Sequence, residues 1–479
     1  MERLIPSGKV KVKSSDQIGF SRIGIGFEKL DRKVFDPEKA YDKVAALGVK
    51  WARLQSGWVR CETEKGVYDF AWLDQLVDRF LSLSIQPWLN VSYGNPLYTE
   101  CAKRTYGAVG CPPINSEEAM NAWLSYVKAL VRHFEGRVVY YEIWNEPDCN
   151  YSWKHDGEAE PRPDGTEYGI FCRETAKAIR EVSTTAKIMG FGLSNLVRNL
   201  SFVSESLDQD LLPYLDAISY HSYSVNDFSR RQRIEDLRSL CRFRGKDLEI
   251  VQGETGSQSS SRGAGAMHGF AWTPELQRKH LLRNMIVDLA ADVTFTSHFT
   301  TVDMIEALRG IVGDKASYLD YGYFGVLGAD FDEDGRSTGE YTPKPSYYAL
   351  QNMAALFQGE WTPASLPVSL RILPSRRVNG EDCSDPTVLT YGFLRPDGSA
   401  VYAYWNSVPL LTHSYRGTVS FFVDGTLPLP RLIDPADGTV YQIPETMTEP
   451  CGGGILLKNL PITDVPLLLC FGEFAETEA

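Results

Sequence analysis

Eight short apolar runs, each followed by a longer segment of helical period, recur from residue 20 to about 350, and no other feature constrains the fold as much. The runs are IGIGF (23–27), VKWARLQ (49–55), IQPWLNV (85–91), VVYYEIWN (138–145), KIMGFGL (187–193), AISYHSY (217–223), EIVQGET (249–255) and TFTSHFT (294–300). They are rich in β-branched and aromatic residues and end in polar ones, as buried strands do. Between them, PEKAYDKVAALG, FAWLDQLVDRFLSLS, SEEAMNAWLSYVKALVRHF and PELQRKHLLRNMIVDLA repeat apolar residues three or four positions apart, the spacing of an amphipathic helix. Strands alternating with helices need a parallel sheet, and eight repeats over roughly 330 residues predict a closed (β/α)8 TIM barrel with inserted loops.

After PSYYALQNMAALF the rhythm changes. TVLTYGFL, AVYAYWNS, GTVSFFV, GTVYQI, GILLKNL and PLLLCFG are strand-like and are separated by turn signals such as PDG and ADG. The predicted organisation is a catalytic barrel over residues 20–355 and a C-terminal β-sandwich over 356–479. Residues 1–19, through KVKVK, would supply a strand that joins the sandwich.

Charge narrows the partners. Lys+Arg total 49 against Asp+Glu 62, a net −13 that repels nucleic-acid phosphates and anionic lipid, so neither is an expected partner. No run reaches the roughly 18 apolar residues of a membrane span. The start, MERLIPSGKVKVKSSDQ, lacks a signal-peptide core, which predicts a cytoplasmic location. The 9 cysteines show no CxxC spacing and read as mostly buried thiols; Cys101 and Cys111 share one loop and would be bridged only in an exported protein. With 7 histidines and no HxH, neither a metal nor any other cofactor is expected. No feature specifies an oligomer.

Active sites of this fold form where strands end at the C-terminal face. The fourth strand ends in Trp144-Asn145-Glu146 and the seventh in Gly253-Glu254-Thr255, so two carboxylates fall at the same phase of the repeat and face one mouth from opposite sides. Two carboxylates flanking a bond are what glycoside hydrolysis uses. Taken singly, either glutamate reads as an ordinary surface carboxylate.

The motifs go further. YYEIWNEPD resembles the Asn-Glu acid/base signature of clan A glycoside hydrolases, VQGETG their nucleophile strand, and QSGWVRCETEKGVYDFAWLD a segment common after strand two in that clan. The plan of barrel then sandwich is most similar to glycoside hydrolase family 39. The resemblance implies Glu146 as acid/base, Glu254 as nucleophile of a retaining mechanism, and Asn145 on the sugar 2-hydroxyl. Arg53 and Tyr223 would support Glu254, and His221 would neighbour Glu146. Without the resemblance, Arg53 reads as a structural ion pair and His221 as a satisfied core histidine.

The chain also departs from the clan pattern. The eighth strand offers His298 and Phe299 where a tryptophan platform is common, and the third offers Asn90 and Tyr93 where many members have histidine; Trp272 is the candidate replacement surface. Long loops carry Tyr98, Tyr106, Tyr151 and Trp153, which would stack on sugars or pack their own loops, and the Ser257–Gly265 run reads as a mobile lid. The expected partner is therefore a carbohydrate: a β-xyloside, β-glucoside or β-galactoside, or an α-L-arabinoside. An endo-acting glycanase of the clan and a non-catalytic carbohydrate-binding barrel are the alternatives.

Overall fold

The computed structural model describes residues 4–156, 162–196, 199–225, 229–372, 377–378, 381–382 and 388–478. Strand β1 is Ile5–Val10. The next eight strands, β2 (Ile23–Gly26), β3 (Trp51–Gln55), β4 (Gln86–Val91), β5 (Tyr140–Ile143), β6 (Lys187–Leu193), β7 (Ala217–His221), β8 (Glu249–Thr255) and β9 (Thr296–His298), form a closed barrel. All neighbours are parallel, and β2 pairs with both β3 and β9 to close the ring. The fold is the TIM barrel that the eight-fold alternation predicts. Strand β5 is four residues long where the apolar run has eight: it starts two residues later, and it ends at Ile143 because Trp144 (φ 69°) leaves the extended region, as does Glu146 (φ 51°) just beyond the run.

The helices form where the apolar spacing places them. In helix Ala71–Ser82 the buried positions are Leu73, Leu76, Val77 and Phe80. Helix Glu117–His133 begins on Ser116, whose side chain accepts from the Ala119 amide, and it carries Glu117 and Glu118 in its first turn, where the dipole favours anions. PEKAYDKVAALG splits instead into a 3-10 turn, Pro37–Lys39, and a short helix, Tyr41–Ala46. Among the described residues no helix is long and apolar enough to cross a membrane.

Beyond the barrel, an antiparallel eight-stranded sheet faces a four-stranded one. Strand Ala400–Asn406 is buried along its whole length, and strand period explains how. Tyr402 and Tyr404 point into the core between the two sheets, whereas Val401, Ala403 and Trp405 join the barrel's core. Strand β1 pairs with Thr439–Gln442 and with Thr477–Glu478 in this sheet; it starts earlier than the KVKVK run and takes in that run's first two residues, Lys9 and Val10. The turn signals gave no warning of strand Arg431–Asp434, which sits between proline-rich segments.

Helix Pro274–Ala290 explains why barrel and sandwich are inseparable. Its polar residues Gln277, Lys279, Arg283 and Asp288 are buried along with its apolar ones, because the barrel covers one face and the sandwich the other. Lys279 pairs with Asp464 and donates to the Leu410 carbonyl at 3.1 Å. The Arg283 guanidinium donates to the carbonyls of Asp464, Val408 and Asn406 at 2.7, 3.0 and 3.2 Å. Cys101 and Cys111 form a disulfide with Cα atoms 5.7 Å apart, so they are not the thiols that the sequence reading preferred. Cys61, Cys172, Cys241 and Cys470 are buried thiols, and Cys451 is exposed. Cys383 lies outside the described residues.

Removing one member of a buried ion pair leaves the other charge unpaired. Lys279→Met is therefore expected to lower the unfolding free energy by about 3–5 kcal/mol in urea titrations, and adding Asp464→Leu should restore part of the loss.

Candidate active site

The site grows from four strands whose C-terminal ends meet. Arg53 projects inward from β3 and is completely buried. Its guanidinium Nη1 donates to Glu254 Oε2 at 2.7 Å, Nη2 to Glu142 Oε2 at 2.6 Å and to Asn145 Oδ1 at 2.8 Å, and Nε to Glu142 Oε2 at 3.1 Å. Glu28 Oε1 lies 3.5 Å from Nη1. One cation thus binds carboxylates that follow or belong to strands β2, β5 and β8. Gly253 makes room for the cluster, since a Cβ there would lie 2.4 Å from Ser219 Oγ and 3.1 Å from Glu142 Oε1.

The turn after β5 aims the second carboxylate. Trp144 and Glu146, both left-handed, bracket Asn145, and such conformations cost of order 1–3 kcal/mol each in non-glycine residues. Packing holds them. Trp144 is wedged among Tyr93, Trp123, Trp153 and Phe171, its indole donating to the Ser152 carbonyl at 2.6 Å, and the Glu146 amide donates to the Gly192 carbonyl at 3.0 Å.

Glu146 then meets a different environment from Glu254. His221 Nδ1 lies 2.9 Å from Glu146 Oε1 and 3.8 Å from Glu254 Oε2. The Tyr223 hydroxyl donates to Glu254 Oε1. One carboxylate oxygen of each glutamate and one ring nitrogen of His221 lie within 4.8 Å of one another. Burial pushes the Glu146 carboxyl up, and the Glu254 charge adds to that rise. Burial acts on Glu254 too, but the charges of His221 and Arg53 and the Tyr223 hydrogen bond outweigh it and hold that carboxyl below its ordinary value. Two like side chains in one site are driven in opposite directions.

A cavity of about 790 Å³ opens over this pair, lined by Glu146, Tyr151, Tyr223, Glu254, Glu306 and Phe324 among others. That volume suits a small ligand. Glu306 is buried with Lys29 Nζ 3.3 Å from its Oε1, and burial pushes its carboxyl up to about 7. Phe324, edge-on to Tyr223 and almost fully buried, is in the cavity's lining, where the eighth strand has no tryptophan.

Several expected contacts do not reach the cavity. Asn90 is fully buried and donates to Glu142 Oε2 and the Trp144 carbonyl at 2.8 and 2.6 Å, bracing the turn rather than facing a ligand. Tyr93 is nearly buried, packed on Trp144 and bonded to Gln55. Trp153 has no exposed surface and packs on Trp144 and Tyr168, its indole donating to Glu167 at 2.6 Å. Trp272 is buried edge-on to His280, its indole donating to the Met267 carbonyl at 2.8 Å. His298 is buried, and burial pushes its imidazole down to about 3, so it is a neutral core residue. Tyr98 stacks on Trp58 and Tyr106 on Tyr318, so both pack loops. Nor is the Ser257–Gly265 run a free lid. Ser259 and Ala264 amides donate to the Tyr323 and Tyr321 carbonyls, and Gln258 spans the loop to the Ala264 and Ala266 carbonyls.

Glu28, Glu142, Glu306, Lys29 and Phe324 escaped the sequence reading. Glu142 had a signal: it lies four residues before Glu146, at the same inward phase of period two. Glu28 also had one, following β2 directly.

Residues 44–252 match the family model described as Glycosyl hydrolases family 39. A β-xylosidase of Geobacillus stearothermophilus is 25% identical over 133 residues, which is 26% of this chain and a quarter of that enzyme's length. In three dimensions, a family 39 glycoside hydrolase from Bacteroides cellulosilyticus WH2 is similar at a TM-score of 0.64 and 16% identity, over 94% of this chain and 81% of that one. A family 39 β-xylosidase from Caulobacter crescentus gives 0.56 and 15%, over 97% of both chains. At these identities the two structures establish the shared fold.

Because Arg53 carries the charge that favours ionised Glu254, Arg53→Met should raise the Glu254 pKa. Carboxyl ¹³C NMR on the full chain would show its titration midpoint at higher pH; an unmoved midpoint would return Arg53 to a purely structural role.

Proposed function

Residues 44–252 match the model of glycosyl hydrolases family 39, and we propose a retaining, exo-acting glycosidase of that family with Glu254 as nucleophile and Glu146 as acid/base. The observation that carries this reading is the opposed pair: a carboxyl held down beside one pushed up, with oxygens within 4.8 Å. Retaining pairs sit about 5 to 5.5 Å apart, whereas inverting pairs leave roughly 6.5 to 9.5 Å for a water.

The chemistry follows from the contacts. Ionised Glu254 attacks the anomeric carbon while protonated Glu146 gives its proton to the leaving oxygen, so the bond to the leaving group breaks as the glycosyl–Glu254 ester forms. Glu146, now a carboxylate, takes a proton from water, whose oxygen attacks the same carbon and releases Glu254. His221 at 2.9 Å steadies Glu146 in its charged form between the two steps. Asn145 accepts from Arg53, which orients its amide nitrogen toward a sugar hydroxyl.

The relatives named as β-xylosidases make an aryl β-xyloside the first substrate to try, followed by β-glucoside, β-galactoside and α-L-arabinoside. The loops after β8 and β9, tied to each other, line the cavity, and such walls favour exo action over an open endo cleft. Retention of both glutamates in opposed environments speaks against a merely sugar-binding barrel.

Glu254→Ala should abolish hydrolysis of every glycoside. Glu146→Ala should keep turnover of substrates with good leaving groups, lose it on poor ones, and regain rate with added azide, yielding a β-glycosyl azide from a β-glycoside. Equal losses in both variants on activated substrates, with no azide rescue, would overturn the assignment.

A further inference from the structure

The cavity has two electrostatically different ends. Its deep, buried part is acidic: besides Glu254 it presents Glu306, which already engages Lys29, with the half-buried Asp320 also in the lining. A second anion placed there would meet like charges. Its mouth is the reverse. Arg309 is exposed on the rim, and among the described residues no carboxylate lies within ion-pair distance of it. In a chain of net charge −13, a cation facing a cavity without an acidic partner is unusual.

The backbone that carries Arg309 is held in place. It belongs to the loop after β9, and the next residue, Gly310, packs against the Cβ atoms of Tyr106 and Tyr318, whose rings stack on each other with centroids 4.3 Å apart. Only glycine fits, since a Cβ would lie 2.8 and 2.9 Å from the two tyrosine Cβ atoms. The Tyr106 amide donates to the Gly310 carbonyl at 2.9 Å, and the Ala307 amide to Asp320 Oδ1 at 2.6 Å. The guanidinium carbon of Arg309 lies over the Tyr151 ring, 5.7 Å from its centroid. Tyr151 is five residues beyond Glu146, in a segment anchored by the Trp144 indole on Ser152. The pair therefore stands beside the acid/base, where a leaving group departs.

Resting on the glycosidase reading above, we propose that this cavity takes a neutral sugar at its deep end and a uronic acid residue as leaving group, with the Tyr151 ring under the sugar and the Arg309 guanidinium on its carboxylate. A planar fork matches a carboxylate with two parallel hydrogen bonds, and an aromatic ring offers the flat apolar area that a pyranose face needs.

The test compares 3-carboxyphenyl with 3-carbamoylphenyl glycosides of whichever neutral sugar is turned over, as kcat/KM. The wild type should prefer the anionic member, and Arg309→Gln should lower the carboxyl-to-carbamoyl ratio about tenfold, the size of one charge-assisted hydrogen bond. Arg309→Lys should restore part of the ratio, and added salt should erode it in the wild type. A ratio unchanged by Arg309→Gln overturns the proposal while leaving the hydrolase reading intact. Calorimetric titration with methyl β-glucuronoside and methyl β-glucoside separates the converse case. If neither aryl glycoside is cleaved but a preference for the glucuronoside is present and lost in Arg309→Gln, the mouth site stands and the hydrolase reading falls. If cleavage and preference are both absent, both fall.

Discussion

Everything at the centre of this barrel depends on one buried guanidinium. Arg53 has no contact with water, and a charge so placed is tolerable only if its donors are met by anions. Glu142, Glu28 and Glu254 meet them, and their charges together overcome burial and hold the arginine firmly protonated. The same balance decides the state of each carboxylate. Glu254 shares Arg53 with Glu142 and receives Tyr223 and His221 besides, so it stays ionised; Glu28 has the weaker share, and burial pushes it up to about 7. Glu146 has no contact with the guanidinium among its hydrogen bonds and answers to burial instead. Division of labour between two identical side chains thus follows from where each stands between burial on one side and the charges of His221 and Arg53 on the other.

How much of this was legible follows from what each signal measures. Period two and period 3.6 report which faces are buried, so the strands of the barrel and the helix at Ala71–Ser82 were readable within a residue or two. Strand β5 ended early because Trp144 and Glu146 turn left-handed, and no propensity of tryptophan or glutamate announces that; it is imposed by packing around the indole. Glu146 and Glu254 were readable because they end strands. Glu306 and Phe324 were not, since they belong to irregular chain after β9, where position in the repeat carries no information.

Aromatic residues in the long loops misled for a physical reason. A loop too long to lean on the barrel needs a core of its own, and tryptophan and tyrosine supply it: Trp153 fills the space beside Trp144, Trp272 packs under its own segment, and Tyr98 caps Trp58. Composition cannot separate a ring that meets a ligand from one that meets a neighbour. Tyr151 and Trp153 differ by two residues, yet one lines the cavity and the other is sealed. The helix Pro274–Ala290 shows the same ambiguity in polar residues, because Lys279 and Arg283 look solvated until the sandwich is in place.

The pairing of β1 with Thr439–Gln442 and Thr477–Glu478 sets an order of events during synthesis. Ile5–Val10 leaves the ribosome ahead of the barrel, but both of its neighbours are made more than 400 residues later, which at about 5–20 residues per second is a delay of tens of seconds. Once β9 is made the barrel strands have all their partners, whereas β1 still waits for the sandwich strands that it pairs with. The seam therefore joins a segment made before the barrel to two made after it, and an unpaired edge travels with the nascent chain until those two emerge.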